Sequence, residues 1–214
     1  VSLNGQGAPL VPIGDLLLFP EYKCCINLGG FANISIKKNS EIIAFDICPA
    51  NIVLNDICKE LEIEYDSNGN ISREGKIIPT LLQQLNQLDF YIKNSPKSLG
   101  REWVEENVFP ILKNNNSKDL LCTFCEHIAI QIGKFLADES ALFTGGGVFN
   151  SYLMERIRFH SKSEILVPNK ELIEFKESLI FAFLGVLRLR NEVNCLQSAT
   201  GADRDNCGGL IHEI

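Results

Sequence analysis

Ala141–Asn150, ALFTGGGVFN, is the stretch from which the fold is read. A short apolar run with strand character ends in three consecutive glycines, Gly145, Gly146 and Gly147. A segment with helical spacing, SYLMERIRF, follows at once. Adjacent glycines give up side-chain packing and cost conformational entropy. A chain carries them where its backbone must bend sharply or come very close to another group. At a strand-to-helix junction that group is often a phosphate, because the first amides of a helix are free donors at the positive end of its dipole. A tight turn with no ligand fits the stretch taken alone, so the surrounding sequence has to decide.

The 214 residues suffice for one sizeable domain or two small lobes. With 45% hydrophobic and 22% charged residues the composition is that of a soluble globular protein, and no apolar run reaches the length of a membrane span. A formal net charge of -7 argues against a nucleic-acid binder held by phosphate contacts. Of the eight cysteines, Cys24, Cys25, Cys48 and Cys58 sit in apolar segments, the pattern of reduced thiols in a cytoplasmic protein. Cys122 and Cys125 form a C-x-x-C inside an apolar helical pattern without a second ligand pair, so zinc or redox chemistry is not expected there. Val1 is not a methionine, and the chain opens directly into NGQGAPLVP, a loop of the kind that joins two structured segments. The expectation is a second part of a longer protein.

Three strands are expected between Lys23 and Cys48. CCINLGG and FANISIKK are separated by the hairpin signal Gly29-Gly30, and Asn39-Ser40 turns into EIIAFDIC. Ala32, Ile34 and Ile36 alternate with polar neighbours, giving one buried face. Asp46, near the end of the third strand, either caps the next helix or projects into a cleft. A helix starts at Pro49-Ala50-Asn51, Tyr65–Gly75 reads as a polar loop, and Lys76–Leu85 as a helix. Arg101–Lys113 is helical with a disturbance at Pro110. Ser117 caps the next helix, whose core stripe is Leu121, Phe124, Ile128, Ile132 and Phe135; His127 falls off it. After the glycine run come the short strand EILVP and a long helix from about Leu172 to Arg190, with Ile173, Leu179, Ile180, Phe183, Leu184 and Leu187 as its apolar face. Glu177 in that helix is either a surface charge or a polar group facing a cleft. Lys97 and Arg101 either neutralise an anion or are solvated. The order β-β-β-α, a helical insertion, then α-β-α-β-α indicates an α/β fold with a mixed sheet and helices on both faces.

Two glycine turns on separate strands of one sheet resemble the C-terminal, ribonuclease H-like lobe of the actin, sugar kinase and Hsp70 ATPases. The segments NGQGAPLVP, INLGGFANIS, FDICPAN, PKSLGRE, FTGGGVFNSYLMERI, FKESLIFAFLGVL and the terminal TGA are together similar to the anhydro-N-acetylmuramic acid kinase family. The resemblance implies two lobes closing on ATP with Mg²⁺. It implies hydrolytic opening of 1,6-anhydro-N-acetylmuramic acid and phosphorylation to N-acetylmuramic acid 6-phosphate in cell-wall turnover, in the cytoplasm and as a homodimer when intact. It divides the chain into an N-terminal loop segment 1–22 continuing from a missing N-terminal lobe, a C-terminal lobe 23–200 with a helical insertion at about 63–116, and a tail 201–214.

By the same resemblance Gly29, Gly30 and Asn33 belong to the phosphate hairpin, and Gly145, Gly146 and Gly147, with Asn150 beside them, to the nucleotide turn. Asp46 and Asn51 lie near sugar and phosphate, and Gln6, Gly7 and Pro9 wall the sugar pocket. Lys97 and Arg101 set the electrostatics of the cleft. The family usually has glycines where Cys48 and Ala50 stand, and added side chains there could narrow the pocket or shift the backbone. The family's phosphate loop of the N-terminal lobe is not among the 214 residues. Its general base, an Asp, is expected just upstream of Val1, so no catalytic residue is assigned in this chain and the isolated chain is expected to be inactive. The alternative is a non-catalytic nucleotide-binding lobe of a split or decayed kinase.

Overall fold

The sheet grows outward from β1 (Cys24–Leu28) in both directions. In the computed structural model, which describes residues 2–38, 41–93 and 97–212, β2 (Phe31–Lys38) pairs antiparallel with β1 and β3 (Glu41–Pro49) antiparallel with β2. On the other side, β4 (Ala141–Thr144) pairs parallel with β1, and β5 (Ile165–Leu166) parallel with β4. The order β3-β2-β1-β4-β5 is the expected mixed sheet. The expected turn at Asn39-Ser40, and Pro96 beside Lys97, lie outside the described residues.

The helices are α1 (Pro12–Leu18), α2 (Asn51–Lys59), α3 (Asn70–Glu74), α4 (Pro79–Asn86), α5 (Arg101–Asn107), α6 (Phe109–Leu112), α7 (Ser117–Gly133), α8 (Ser151–His160), α9 (Lys170–Leu189) and α10 (Gln197–Thr200). Strand alternation distributes them over two faces. Cys24, Ile26 and Leu28 of β1, with Ala141 and Phe143 of β4, join the large core built with α2, α7 and α8. The residues between them, Cys25 and Leu142, point the other way and pack with Ile13 of α1 and Ile180, Leu184 and Leu187 of α9. Among the described residues no helix is long and apolar enough to cross a membrane.

Several local expectations are corrected. Residues 12–18, expected as loop, form α1, with Pro12 in its first turn and Asp15 and Ile13 buried. The expected polar loop 65–75 contains α3: the buried Asp66 carboxylate accepts from the amides of Ile71 and Ser72 at 2.9 and 2.8 Å and from the Ser72 hydroxyl at 2.6 Å. The helix expected at Lys76 starts at Pro79. Arg101–Lys113 is two helices broken at Val108, with Pro110 in the first turn of the second. Asn116, one residue before the expected cap, holds the start of α7 by accepting from the Lys118 amide, while the Ser117 hydroxyl donates to Glu60. Leu179, expected on the buried face of α9, is exposed.

His127 is fully buried in α7 and fully bonded. Asn86 Oδ1, an acceptor, lies 2.8 Å from Nδ1, so Nδ1 carries the proton and Nε2 accepts from the Tyr91 hydroxyl at 2.8 Å. Burial pushes this imidazole down from 6.5 to about 3. The unfolded chain therefore binds more protons between those values. The stability from neutral His127 is complete above about pH 6.5 and is lost as pH falls towards 3, at up to about 1.4 kcal/mol per pH unit. Urea midpoints should fall between pH 6.5 and 5 in the native chain, and less steeply in His127→Gln, which keeps one donor and one acceptor without titrating.

Candidate functional site

Parallel pairing sets Asn27 of β1 beside Thr144 of β4, so the two strands leave the sheet together, one into Gly29-Gly30 and the other into Gly145–Gly147. Their turns touch. Gly145 has φ +85°, and a Cβ there would stand 2.5 Å from Asn27 Oδ1 and 2.8 Å from the Leu28 carbonyl. A Cβ at Gly147 would stand 2.7 Å from the Leu28 side chain. Asn51, the first residue of α2, fastens the junction from behind: its amide donates to the Gly29 carbonyl at 3.2 Å and its Nδ2 to the Leu28 carbonyl at 3.3 Å. Gly146 differs from its neighbours, with nothing within 4 Å of where its Cβ would be.

A cavity of about 700 Å³ opens in front of these turns. Gly29, Asn33, Gly145 and Gly146 line it, together with Gln6, Pro9, Asp46 and Lys97. The other residues given a site role by the resemblance stand outside it. Gly30 uses its carbonyl to accept from the amides of Ala50 and Ile52, and Gly147 is packed against Leu28. Asn150 caps α8 by accepting from the Leu153 amide at 2.9 Å. Gly7 borders a separate small cavity near the C-terminal segment, and Arg101 is exposed and paired with Glu105 at 2.7 Å.

Asp46 does not cap α2, which has no side-chain cap. It lines the cavity, and its Oδ2 accepts from the Leu99 amide at 2.8 Å. Burial raises its carboxyl above the usual range, and the Leu99 hydrogen bond works in the opposite direction. Lys97 lies over the Phe90 ring, 4.5 Å from its centroid, and donates to the Phe90 carbonyl. Burial lowers its ammonium, and the like charge of Lys134 adds to the effect. Cys48 and Ala50 are completely buried and neither lines the cavity, so neither side chain protrudes into it.

Sequence reasoning missed Asn27, Thr144, Phe149, Glu174 and Lys176, all on the cavity wall; Glu177, left open between surface and cleft, is there too. The parallel register of β1 and β4 brings in the first two, which no local pattern encodes. Lys176 is 6% exposed and lies 2.6 Å from Asp15 of α1, whose Oδ1 has no hydrogen-bond partner, so the ion pair alone compensates it. A buried lysine looks like any surface lysine until its distant acid is known.

The family model for anhydro-N-acetylmuramic acid kinase matches residues 1–213. Curated relatives of that name include one from Aliivibrio fischeri, 33% identical over 99% of this chain and 62% of its own length. One from Bacillus cereus is 31% identical over 94% of this chain and 59% of its own. This chain thus spans about 60% of the length of these relatives. Among solved structures, (R)-2-hydroxyglutaryl-CoA dehydratase component A from Acidaminococcus fermentans superposes with a TM-score of 0.51 at 16% identity, covering 79% of this chain and 63% of that one. At that identity the match establishes a common fold.

The turn geometry separates two glycines by consequence. Gly145→Ala forces a side chain into a left-handed backbone and into Asn27, and should cost about 1–3 kcal/mol in chemical denaturation. Gly146→Ala should stay within about 0.5 kcal/mol of the native chain.

Proposed function

The chain belongs to the anhydro-N-acetylmuramic acid kinase family, and we propose that it supplies the nucleotide-binding lobe of an ATP-dependent kinase acting on 1,6-anhydro-N-acetylmuramic acid. The observation that carries this reading is the pair of glycine turns at the mouth of one cavity, with Gly146 facing open space. Bare amides at such turns let phosphate oxygens approach the backbone, where any side chain would hold them off. In this reading the β- and γ-phosphates lie against the Gly29 hairpin with Asn33 beside them. The adenosine lies along Gly145 and Gly146, and the half-exposed Phe149 ring gives the base a flat apolar surface.

Asp46, Gln6, Pro9 and Lys97 then border the sugar. Mg²⁺ travels with nucleotide phosphates and takes few protein ligands. The wall carries the carboxylates of Asp46, Glu174 and Glu177, and among the described residues no three metal-ligating side chains cluster, so the ion would be held mainly by the phosphates and would neutralise charge on the transferred phosphoryl group. Gly30, Gly147, Asn51 and Asn150 act one layer back: they hold the two turns in contact and fix the start of α8.

The reaction breaks the bond between the anomeric carbon and the bridging oxygen. Water adds to that carbon and gives its proton to a base, and the freed oxygen takes the γ-phosphoryl group as ADP leaves. A base must stand within hydrogen-bond reach of the water. We assign that base to the part of the relatives' length that this chain does not span, along with a second phosphate loop. Residues 23–200 are then the C-terminal lobe and 1–22 the approach from the other. The product feeds cell-wall recycling in the cytoplasm.

Calorimetry tests the reading. The 214 residues should bind MgATP or MgADP. Gly146→Val should weaken binding at least about tenfold with an unchanged melting temperature, and turnover of the anhydro sugar should appear only when the chain is extended upstream. Undiminished affinity in Gly146→Val, or turnover by the 214 residues alone, would overturn it.

A further inference from the structure

The terminal Thr200-Gly201-Ala202 has no part in the nucleotide site, yet it lies against the loop that carries Gln6 and Pro9. The Gln6 amide donates to the Thr200 carbonyl, the Asp203 amide to the Leu3 carbonyl and Asn4 Nδ2 to Asp203 Oδ2, each at 2.9 Å. A Cβ at Gly5 would stand 2.8 Å from the Ala202 Cβ and 2.9 Å from its Cα and amide nitrogen, so the two backbones touch there. Beside this contact a cavity of about 80 Å³ separates the same segments, lined by Leu3, Gly5, Gly7, Thr200 and Ala202. Hydrogen bonds and one backbone contact therefore hold the seam, without continuous packing.

The C-terminal side of the seam is itself anchored. Buried Asn194 donates from Nδ2 to the Leu184 carbonyl of α9 at 3.2 Å and to the Gly208 carbonyl at 3.1 Å, and its Oδ1 accepts from the Gly208 amide at 2.7 Å. Cys195 pairs with Asn206, and the Asp205 carboxylate accepts from the Gln197 amide at the start of α10 at 2.8 Å. Ala199 of α10 lines the large cavity beside Gln6, Ala8 and Pro9. The loop has no such anchorage of its own: Gln6, Gly7, Ala8 and Pro9 are all exposed, so burial does not fix their backbone.

We propose that Thr200, Ala202 and Asp203 position the Gln6–Pro9 loop for the anhydro sugar, so that the C-terminal segment sets sugar affinity and leaves nucleotide affinity alone. The proposal rests on the reading in which Gln6 and Pro9 border the sugar. None of the three lines the large cavity, so they act through the loop they hold. An untethered loop would have to be ordered each time sugar bound, and the lost conformational entropy would lower affinity. The seam orders it in advance.

Gly5→Ala drives a methyl group into Ala202 and its backbone and so opens the seam. In the 214-residue chain the amides of Gln6 and Asp203 should be protected from hydrogen exchange, and Gly5→Ala should speed both while leaving the β1 amides unchanged. In the chain extended upstream, Gly5→Ala should raise KM for the anhydro sugar at least about tenfold, the scale of a misplaced positioning group, and leave KM for ATP within about twofold. Partial loss of the fold would instead lower the active fraction, and with it kcat, without moving either KM. Asp203→Ala removes the bond to Asn4 without adding an atom; it should raise the sugar KM about threefold and is the deciding variant if Gly5→Ala does not fold. Gly185→Ala, where a Cβ meets nothing within 4 Å, should change neither constant. A native extended chain inert towards the anhydro sugar would overturn the kinase reading and this proposal with it. Turnover with an unchanged sugar KM in the deciding variant, or rapid exchange at Gln6 in the native chain, would overturn this proposal alone.

Discussion

The contact between two turns of bare backbone is the constraint on which the rest depends. β1 and β4 run parallel, and their last residues lie side by side. For both strands to turn at the same level, the chains that leave them must share space that a single Cβ would fill. At Gly145 the obstacle would be Asn27 and the Leu28 carbonyl, and at Gly147 the Leu28 side chain. Asn51 then locks the arrangement by bonding to the carbonyls of Leu28 and Gly29. The open space at Gly146 is a consequence: the neighbouring glycines are used up by packing, and the middle one is left facing the cavity.

How far the sequence could be read follows from how local each cause is. Alternation in FANISIKK and the turn signal at Gly29-Gly30 are nearest-neighbour effects, and the strands lie where they were expected. The stripe of α7 is likewise a property of one segment. α3 was hidden because its cause is a single buried carboxylate, Asp66, in a stretch whose composition is otherwise that of a loop. α1 was hidden because Asp15 is stabilised by Lys176, far along the chain.

The same distinction runs through the site. Residues that meet the cavity through their own turn, such as Gly29 and Gly145, could be named from sequence. Asn51, Gly147 and Asn150 carry equally strong motif signals and stand behind the wall. A motif marks that a residue type is required at a place; it does not say whether a ligand or the neighbouring backbone requires it. Arg101 shows the converse, a cation in a distinctive segment whose partner is Glu105 on its own helix. Asp46 and Lys97 lie in the cavity because the backbone between them is tied: the Asp46 amide donates to the Lys97 carbonyl, and the Leu99 amide returns a bond to the Asp46 carboxylate.

Helix α9 connects the cavity to the outside of the molecule. Ile173, Glu174, Lys176 and Glu177 in its first two turns line the cavity, and Lys176 anchors α1 and thereby the segment carrying Gln6 and Pro9. Its opposite side is exposed, Phe175, Leu179, Val186 and Leu189 included. On its buried face Ile180, Leu184 and Leu187 are close-packed against Ile13, Cys25 and Leu142, so α9 cannot slide without repacking them. The buried Lys176–Asp15 pair fixes the side chains that α9 gives to the cavity wall in register with α1. A displacement of α9 would therefore move the cavity wall and strain the Lys176–Asp15 pair together.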